Sequence, residues 1–244
     1  MRKVKLEIEY DGSDFSGWQV QSRGDSIQGK VEEAIARVIG EKVRLHAAGR
    51  TDAGAHALAQ SAHFLTRSSL PAENIQRGAN VHLPEGIAIL RAADAAADFH
   101  ARFSARGKLY RYIIFRRPTR SVFWRKRAWH CSLPLDLTKM RAAAVFLKGR
   151  HDFAAFSASG SSVKTTERII RRLDIGQEGE LLIFNIEADG FLYKMVRNIV
   201  GTLVEVGAGK MKPRQVKEVL ASRDRRRAGP TAPAGGLYLV RVDY

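Results

Sequence analysis

Apolar and polar residues alternate along residues 4–10, Val-Lys-Leu-Glu-Ile-Glu-Tyr. A period of two puts every second side chain on one face, so this segment predicts a half-buried strand. Apolar residues then recur at helical spacing from Ile27 to Val38, between an N-cap at Asp25 or Ser26 and a stop at Gly40. The chain therefore begins with a predicted strand and an amphipathic helix.

The same kind of pattern predicts the rest of the first half. Strands are predicted at residues 43–47, 61–65 and 87–90, and a helix from Pro71 to about Asn80. The order of elements is β-α-β-β-α-β.

The second half repeats this order with one additional helix. Its predicted strands are 109–115, 169–175, 181–188 and 237–242, and its predicted helices are Leu137–Leu147, Tyr193–Val206 and Pro213–Ser222. Two copies of this plan predict an α+β fold of two ferredoxin-like halves, with helices on one side of an extended, mainly antiparallel sheet that both halves share. The boundary near Ser104–Gly107 gives an N-terminal half of residues 1–104 and a C-terminal half of residues 105–244.

The composition indicates in which cellular compartment the protein works, and it excludes disulfides and one class of metal site. The N-terminus lacks an apolar signal segment, and no apolar run approaches the length of a membrane span. Cys131 is the only cysteine, which excludes disulfides within the chain and cysteine-cluster metal sites. We therefore expect a cytoplasmic protein without a membrane partner.

The charge is strongly positive and unevenly distributed. Lys plus Arg is 41 against 25 for Asp plus Glu, a net charge of +16. Residues 1–104 carry 13 basic and 13 acidic side chains, whereas residues 105–244 carry 28 and 12. Positive charge that recurs over many segments favours a long polyanion such as nucleic acid. A charged but merely solvated surface is the alternative.

Ten residues, Ala48–Ala57, combine an arginine, an aspartate, a histidine and two glycines. The glycines allow a sharp turn that would present Asp52 in a cleft, where Arg50 would favour its ionised form. The alternative is an Asx-turn, in which the Asp52 side chain only bonds the backbone two residues on.

Sequence signatures of metal sites, phosphate-binding loops and serine nucleophiles are missing from the chain. An enzyme of this sequence would have to use its own side chains, without a metal or another cofactor. The candidates are Asp52, Arg50, Tyr110, Lys164 and Arg197.

Two of the candidates, Tyr110 and Arg197, leave alternatives open. Tyr110 could simply pack within its strand. Arg197 lies in an apolar helix, where it either reaches water or is buried against a carboxylate. Lys164, in a small polar loop at residues 158–166, is expected to contact RNA.

A basic loop at residues 116–127 interleaves arginines with two aromatic residues. Arg125, Lys126 and Arg127 could neutralise phosphates while Phe123 and Trp124 stack on unpaired bases. The alternative is that both aromatic side chains pack in the core and the basic side chains face water.

Several stretches together resemble the tRNA pseudouridine synthase A family. They occur in the family's order and span almost the whole chain: Tyr10-Asp11-Gly12, Phe15-Ser16-Gly17-Trp18-Gln19, Gly49-Arg50-Thr51-Asp52-Ala53-Gly54-Ala55-His56-Ala57, Lys108-Leu109-Tyr110-Arg111-Tyr112 and Gly190–Gly201. The family commonly has valine at the position of Ala55, a small apolar change.

The resemblance implies isomerisation of uridine to pseudouridine at tRNA positions 38, 39 and 40, in the anticodon stem-loop, by a cofactor-free homodimer. It implies that Asp52 is the nucleophile, that Tyr110 contacts the target uracil, and that Arg50 and Arg197 lie beside Asp52. It leaves open whether Asp52 attacks the uracil ring or the ribose, and which group removes the C5 proton.

Two other functions are alternatives to this one. A non-catalytic RNA-binding or chaperone protein fits the basic loops and the ferredoxin-like plan. A duplex DNA binder would be expected to carry a recognition helix or a finger motif, and the sequence has neither.

Overall fold

The computed structural model describes residues 1–22, 24–160 and 165–244. The chain forms two compact units. Unit 1 comprises Met1–Arg106 together with Tyr238–Tyr244, and unit 2 comprises Gly107–Leu237. None of the helices in the described ranges has the length and apolar character needed to cross a membrane.

The regular elements follow the predicted order closely. The strands are β1 Arg2–Tyr10, β2 His46–Ala47, β3 His56–Thr66, β4 Ile87–Ala95, β5 Gly107–Phe115, β6 Trp129–His130, β7 Gly149–Asp152, β8 Glu167–Glu178, β9 Leu181–Ala188 and β10 Leu237–Asp243. The helices are α1 Ile27–Ile39, α2 Ala72–His82, α3 Leu137–Val145, α4 Met195–Gly207 and α5 Gln215–Ser222.

Unit 1 is built on a sheet in the order β4-β1-β3, whose pairs are antiparallel. Strand β2 adds to β3 in antiparallel pairing, and β10 pairs with β3 in parallel, with Tyr238 opposite His56. The order β4-β1-β3-β2 is the one expected for a split βαβ plan.

The first strand and helix form where the sequence predicts them. Val4, Leu6 and Ile8 of β1 are completely buried, and burial of side chains of this size stabilises the fold by about 1.5–3 kcal/mol each. The Ser26 hydroxyl oxygen accepts the Gly29 N–H at the start of α1 (3.1 Å). Gly40 ends the helix in the left-handed conformation, at φ +73°.

Unit 2 contains an antiparallel sheet in the order β5-β9-β8-β7, with β6 added to β5 in parallel. Helix α4 is buried along most of its length. A Cβ atom at Gly201 of α4 would lie 1.8 Å from the Pro230 carbonyl oxygen, so the segment after α5 packs directly on this helix. Both units combine helices with a mostly antiparallel sheet, and the predicted α+β class is confirmed.

Two strands of unit 1 differ in length from the prediction. The ladder of β2 covers only His46 and Ala47, because the Leu45 N–H is bonded to the Glu32 side chain (2.7 Å) and not to a neighbouring strand. Strand β3 begins at His56, five residues before its predicted start, since β10 supplies a partner strand there.

Two elements of the second half also differ. Helix α3 ends at Val145, two residues before its predicted end, and Gly149, at φ +96°, begins β7, an unpredicted strand that pairs with β8. The final strand, which the sequence assigned to residues 105–244, belongs to unit 1 from Tyr238 onward. The Tyr244 hydroxyl anchors it there by bonding to Ser61 (2.7 Å) and to the Ala101 carbonyl (2.9 Å).

Candidate active site

Asp52 occupies a turn between β2 and β3 of unit 1, and its side chain is half-buried. The turn is closed by the main chain: the Asp52 carbonyl accepts the Ala55 N–H (3.1 Å). Gly54 adopts φ +78°, which the third position of a type II turn requires. The backbone therefore holds this turn with a bond that does not use the Asp52 carboxylate.

Thr51, the residue before Asp52, is held by hydrogen bonds to two residues of the Tyr10–Trp18 segment. The Trp18 N–H donates to the Thr51 carbonyl (3.1 Å), and the Tyr10 and Thr51 hydroxyls are hydrogen-bonded (2.8 Å). Burial raises the pKa of Tyr10 to about 12, although its bonds to Thr51 and Gln60 oppose the rise. The phenol is thus neutral near pH 7 and keeps its proton for hydrogen bonding.

Two glycines allow the same segment to approach the Asp52 turn closely. A Cβ atom at Gly12 would lie 1.9 Å from the Ala55 carbonyl oxygen. Gly17, at φ +97°, would place a Cβ atom 2.9 Å from the Thr51 carbonyl oxygen. Real Cβ atoms do not come this close to backbone, so both positions require glycine.

His56 joins the turn to the rest of unit 1. Its ring is buried and accepts the Gly12 N–H at Nδ1 (3.1 Å). The ring also stacks on Tyr238 of β10, with the two centroids 4.6 Å apart. This histidine of the motif is thus tied to both the Tyr10–Trp18 segment and the final strand.

The entry to the turn is anchored on β3. The Gln60 side chain donates Nε2–H to the Gly49 carbonyl (2.7 Å), and the Ala48 N–H donates to the Ser61 carbonyl (2.8 Å). Arg50, between these anchors and Asp52, is exposed.

Unit 2 contains the candidates from the second half. Tyr110 lies on β5 and is largely buried, with the edge of its ring against Phe191 (4.9 Å between centroids). Tyr112, two residues on, donates its hydroxyl to the Pro233 carbonyl (2.7 Å). The two tyrosines share a strand face, as the period of two predicts.

Arg197 is half-buried on α4, and its Nε–H donates to the Ala232 carbonyl (2.7 Å). The Ala232 N–H in turn donates to the Arg197 carbonyl (3.2 Å). The first bond holds the guanidinium end of the Arg197 side chain, and the second fixes the backbone of both residues.

The basic loop keeps its charged residues at the surface. Arg125, Lys126 and Arg127 are exposed, and Phe123 has 89% of its side-chain surface accessible. Trp124 is half-buried, and its carbonyl accepts the Arg127 N–H (3.0 Å). Phe123 therefore does not pack in the core, whereas Trp124 partly does. Lys164 lies outside the described residues.

Three residues that were not singled out from the sequence make structural hydrogen bonds within the two units. Gln60 on β3 of unit 1 and Asn198 on α4 of unit 2 are completely buried polar residues, and Arg225 of unit 2 is half-buried. Asn198 carried a usable signal, since it is a polar residue within the apolar helix predicted at Tyr193–Val206. No group of three or more His, Cys, Asp or Glu side chains within residues 1–22, 24–160 and 165–244 could hold a metal ion.

A sequence profile described as tRNA pseudouridine synthase matches residues 7–104 and 143–244, well over half of the chain. The chain belongs to the tRNA pseudouridine synthase family. Asp52, Arg50 and Arg197 lie inside the matched ranges, whereas Tyr110 and the Arg125–Arg127 cluster lie between them.

Full-length relatives named tRNA pseudouridine synthase A support this membership. The chain is 50% identical over 244 residues to the protein of Pelobacter propionicus and 48% identical to that of Acetivibrio thermocellus, with all of both chains covered in each comparison. It is 46% identical over 243 residues to the protein of Moorella thermoacetica, with 99% of each chain covered.

The solved structure of a Cbf5-Nop10-Gar1 complex contains a chain that aligns with 97% of this chain over 48% of its own length, with a TM-score of 0.42 and 11% identity. This likeness is too distant to support an argument about function.

Proposed function

We propose that this member of the family is an isomerase that converts uridine to pseudouridine in the anticodon stem-loop of tRNA, at positions 38, 39 and 40. Asp52 is the nucleophile, supported by its place on a turn that the main chain and the Tyr10–Trp18 segment hold in shape. A turn that a main-chain bond closes is suited to presenting its aspartate to a substrate.

The reaction breaks the bond between uracil N1 and ribose C1′ and forms one between C5 and C1′. Carbon C5 loses its proton and N1 gains one, so the composition of the nucleoside does not change. The Asp52 carboxylate adds covalently to either the uracil ring or the ribose and leaves at the end. Arg50 and Arg197 assist Asp52, and Tyr110 stacks on the uracil.

The target nucleotide must leave its stack, at a cost of a few kcal/mol. Phosphate contacts from Arg125, Lys126 and Arg127 offset this cost, with the exposed Phe123 stacking on an unpaired base. Lys164 is proposed as a further RNA contact. A protein that reads backbone and shape in this way can serve several neighbouring positions of many tRNAs.

Asp52 is tested by measuring tritium release from tRNA labelled at uracil C5. Asp52→Asn and Asp52→Ala are expected to abolish release while retaining tRNA affinity, because phosphate contacts supply most of the affinity. Asp98→Asn, an exposed carboxylate of unit 1, is the matched control and should release tritium like the wild type. Release by Asp52→Ala at the wild-type rate would remove Asp52 from the chemistry.

A nucleoside digest of treated tRNA, together with mapping of pseudouridine on the intact tRNA by carbodiimide labelling and primer extension, distinguishes this proposal from a non-catalytic RNA-binding or chaperone function. Pseudouridine confined to positions 38, 39 and 40 supports the isomerase and its target region. Tight tRNA binding with unchanged nucleosides would favour the chaperone, since RNA affinity alone fits the exposed basic loop.

We also propose a cytoplasmic homodimer, on the strength of the family resemblance. Light scattering at working concentration tests the dimer, for which the expected mass is twice that of the chain. A mass equal to one chain, with full activity, would show that a single chain is sufficient.

A further inference from the structure

Arg225 follows α5 in a run of three arginines, but its side chain does not point into solvent as a charged run suggests. The guanidinium is half-buried, and its burial lowers the pKa of Arg225. Its NH1 group donates to the Gly229 carbonyl (2.9 Å) and to the Ala228 carbonyl (3.3 Å). One end of the guanidinium thus holds the backbone of the segment that crosses α4.

The other end of the guanidinium reaches α4 itself. The Arg225 NH2 group donates to the Asn198 Oδ1 atom (3.0 Å) and to the Thr231 hydroxyl (3.1 Å). The Thr231 hydroxyl also donates to Asn198 Oδ1 (2.6 Å), and Asn198 Nδ2 donates to the Phe156 carbonyl (2.8 Å). Asn198 is completely buried, so this network is fixed inside unit 2.

A second set of bonds fixes the same segment further along α4. The Thr202 hydroxyl donates to the Asn198 carbonyl (2.7 Å) and accepts the Gly229 N–H (2.9 Å). Arg197 and Ala232 form the reciprocal pair described above. The segment from Ala228 to Ala232 is therefore tied to α4 at three successive places, the last of which holds Arg197.

The acceptors of Arg225 in these four bonds are all neutral. Burying a charge without a carboxylate partner costs free energy, so the arrangement is expensive as a purely stabilising device. A planar guanidinium with five N–H donors can bridge four acceptors on two segments, which an ammonium group cannot do. The four hydrogen bonds therefore indicate that Arg225 is needed to hold the two segments in a fixed relative position.

We propose that Arg225 is a positioning residue: it holds Ala228–Ala232 on α4 so that the Ala232 carbonyl orients the Arg197 guanidinium. The inference rests on the proposed function only in that it takes Arg197 as part of the active site. The orientation of Arg197 by the Ala232 carbonyl does not depend on which reaction the active site catalyses.

Steady-state kinetics test the role in turnover. Arg225→Met is expected to lower kcat on the order of 100-fold, the effect of misplacing a catalytic group by about 1 Å, while KM and tRNA affinity stay within about 2-fold. The neighbouring Arg226 is exposed and pairs with Asp224, so Arg226→Met is the matched control with an unchanged kcat. A folded Arg225→Met enzyme with wild-type kcat would overturn the proposal.

A double-mutant cycle shows whether Arg225 acts through Arg197. If it does, Arg225→Met added to Arg197→Lys costs little beyond the larger single effect, because the group to be positioned is already changed. Losses that multiply in the double variant would assign Arg225 a separate role and overturn the proposal. If Arg225→Met does not fold, Thr231→Val removes one member of the network and is expected to give a smaller loss of kcat.

Hydrogen exchange of the Arg197 Nε–H, followed by NMR in 15N-arginine-labelled protein, separates this proposal from the proposed function. Exchange should be slow in the wild type and in Arg226→Met, and faster in Arg225→Met. That outcome supports the positioning role even if the wild type releases no tritium, which would contradict only the isomerase proposal. Equal exchange in all three proteins would overturn the positioning role.

Discussion

The hydroxyl oxygens of Tyr10 and Thr51 lie 2.8 Å apart in the buried interior of unit 1. Thr51 is the residue directly before Asp52 in the chain. The bond links β1 to the turn that presents the carboxylate. Removal of the Tyr10 hydroxyl leaves the Thr51 hydroxyl without this partner, and an unpaired buried group of this kind costs about 1–3 kcal/mol.

We therefore expect Tyr10→Phe to lower the free energy of unfolding by about 1–3 kcal/mol and kcat by roughly 10- to 100-fold, because the Asp52 turn loses its support. Urea unfolding and tritium release measure the two effects. Tyr244→Phe is the control: it also removes a buried hydroxyl of unit 1, but one bonded to Ser61 and Ala101. Equal losses of kcat in the two variants would contradict a specific role for Tyr10.

Three histidine rings in unit 1 predict sensitivity to acid. His63 is buried and lies against His100 and His46, with ring centroids 4.7 and 5.1 Å away. Burial, with a smaller contribution from His100, His46 and Lys3, lowers the pKa of His63 from 6.5 to about 4. The unfolded chain therefore binds this proton more tightly than the folded chain does.

The stability contributed by neutral His63 should be complete above about pH 6.5 and be lost as the pH falls toward about 4. Chemical denaturation across this range is expected to show the decline, and His63→Gln to flatten it. His82→Gln, at the exposed end of α2, should retain the wild-type pH profile. A steep decline that persists in His63→Gln would assign the acid sensitivity to other groups.

Charge reversal of Arg125, Lys126 and Arg127 to glutamate should weaken tRNA binding and flatten its salt dependence. The slope of log K against log salt concentration should fall by about 2, or roughly 0.7 for each phosphate that the loop no longer neutralises. The control reverses three exposed basic residues of unit 1, Lys42, Arg44 and Arg77. An identical slope in the loop variant and the wild type would place the phosphate-binding residues elsewhere.

Phe123→Ala separates stacking from charge in the same loop. Because 89% of the side chain is accessible, its removal should leave the unfolding free energy within about 0.5 kcal/mol of the wild type. Binding to tRNA should weaken by the roughly 1–3 kcal/mol typical of one base–aromatic stack. Phe103, which is 77% accessible in unit 1, provides the matched Phe103→Ala control. Unchanged affinity in Phe123→Ala would mean that this ring does not stack on RNA.

Sequence patterns predicted those elements whose start, end and buried face are determined by residues within the segment itself. Strand β1 and helix α1 formed as expected, since alternation, the Ser26 cap and the Gly40 stop all lie within the segments themselves. Strand β10 could be predicted as a strand, but its parallel pairing with β3 could not. That pairing depends on a contact between Tyr238 and His56, which are far apart in the chain.

In the candidate active site too, local motifs could be predicted and contacts between distant residues could not. The motif around Asp52 was visible in the sequence, whereas its support by Tyr10, Gly12 and Gly17 exists only after folding. Arg225 shows most clearly which contacts the sequence alone does not predict. In the sequence it is one of three adjacent arginines, and nothing in a run of charges tells which guanidinium turns inward to bind neutral acceptors.

The return of β10 to unit 1 makes the order of synthesis important for this fold. Residues 107–237 are translated between the two segments that form unit 1, so at about 5–20 residues per second the first segment waits on the order of ten seconds for its last strand. Until Tyr238 emerges from the ribosome, His56 lacks the ring that stacks on it. Translation of the final strand is thus the step that completes the unit containing Asp52, and a chain that stops before it carries the aspartate on an unfinished support.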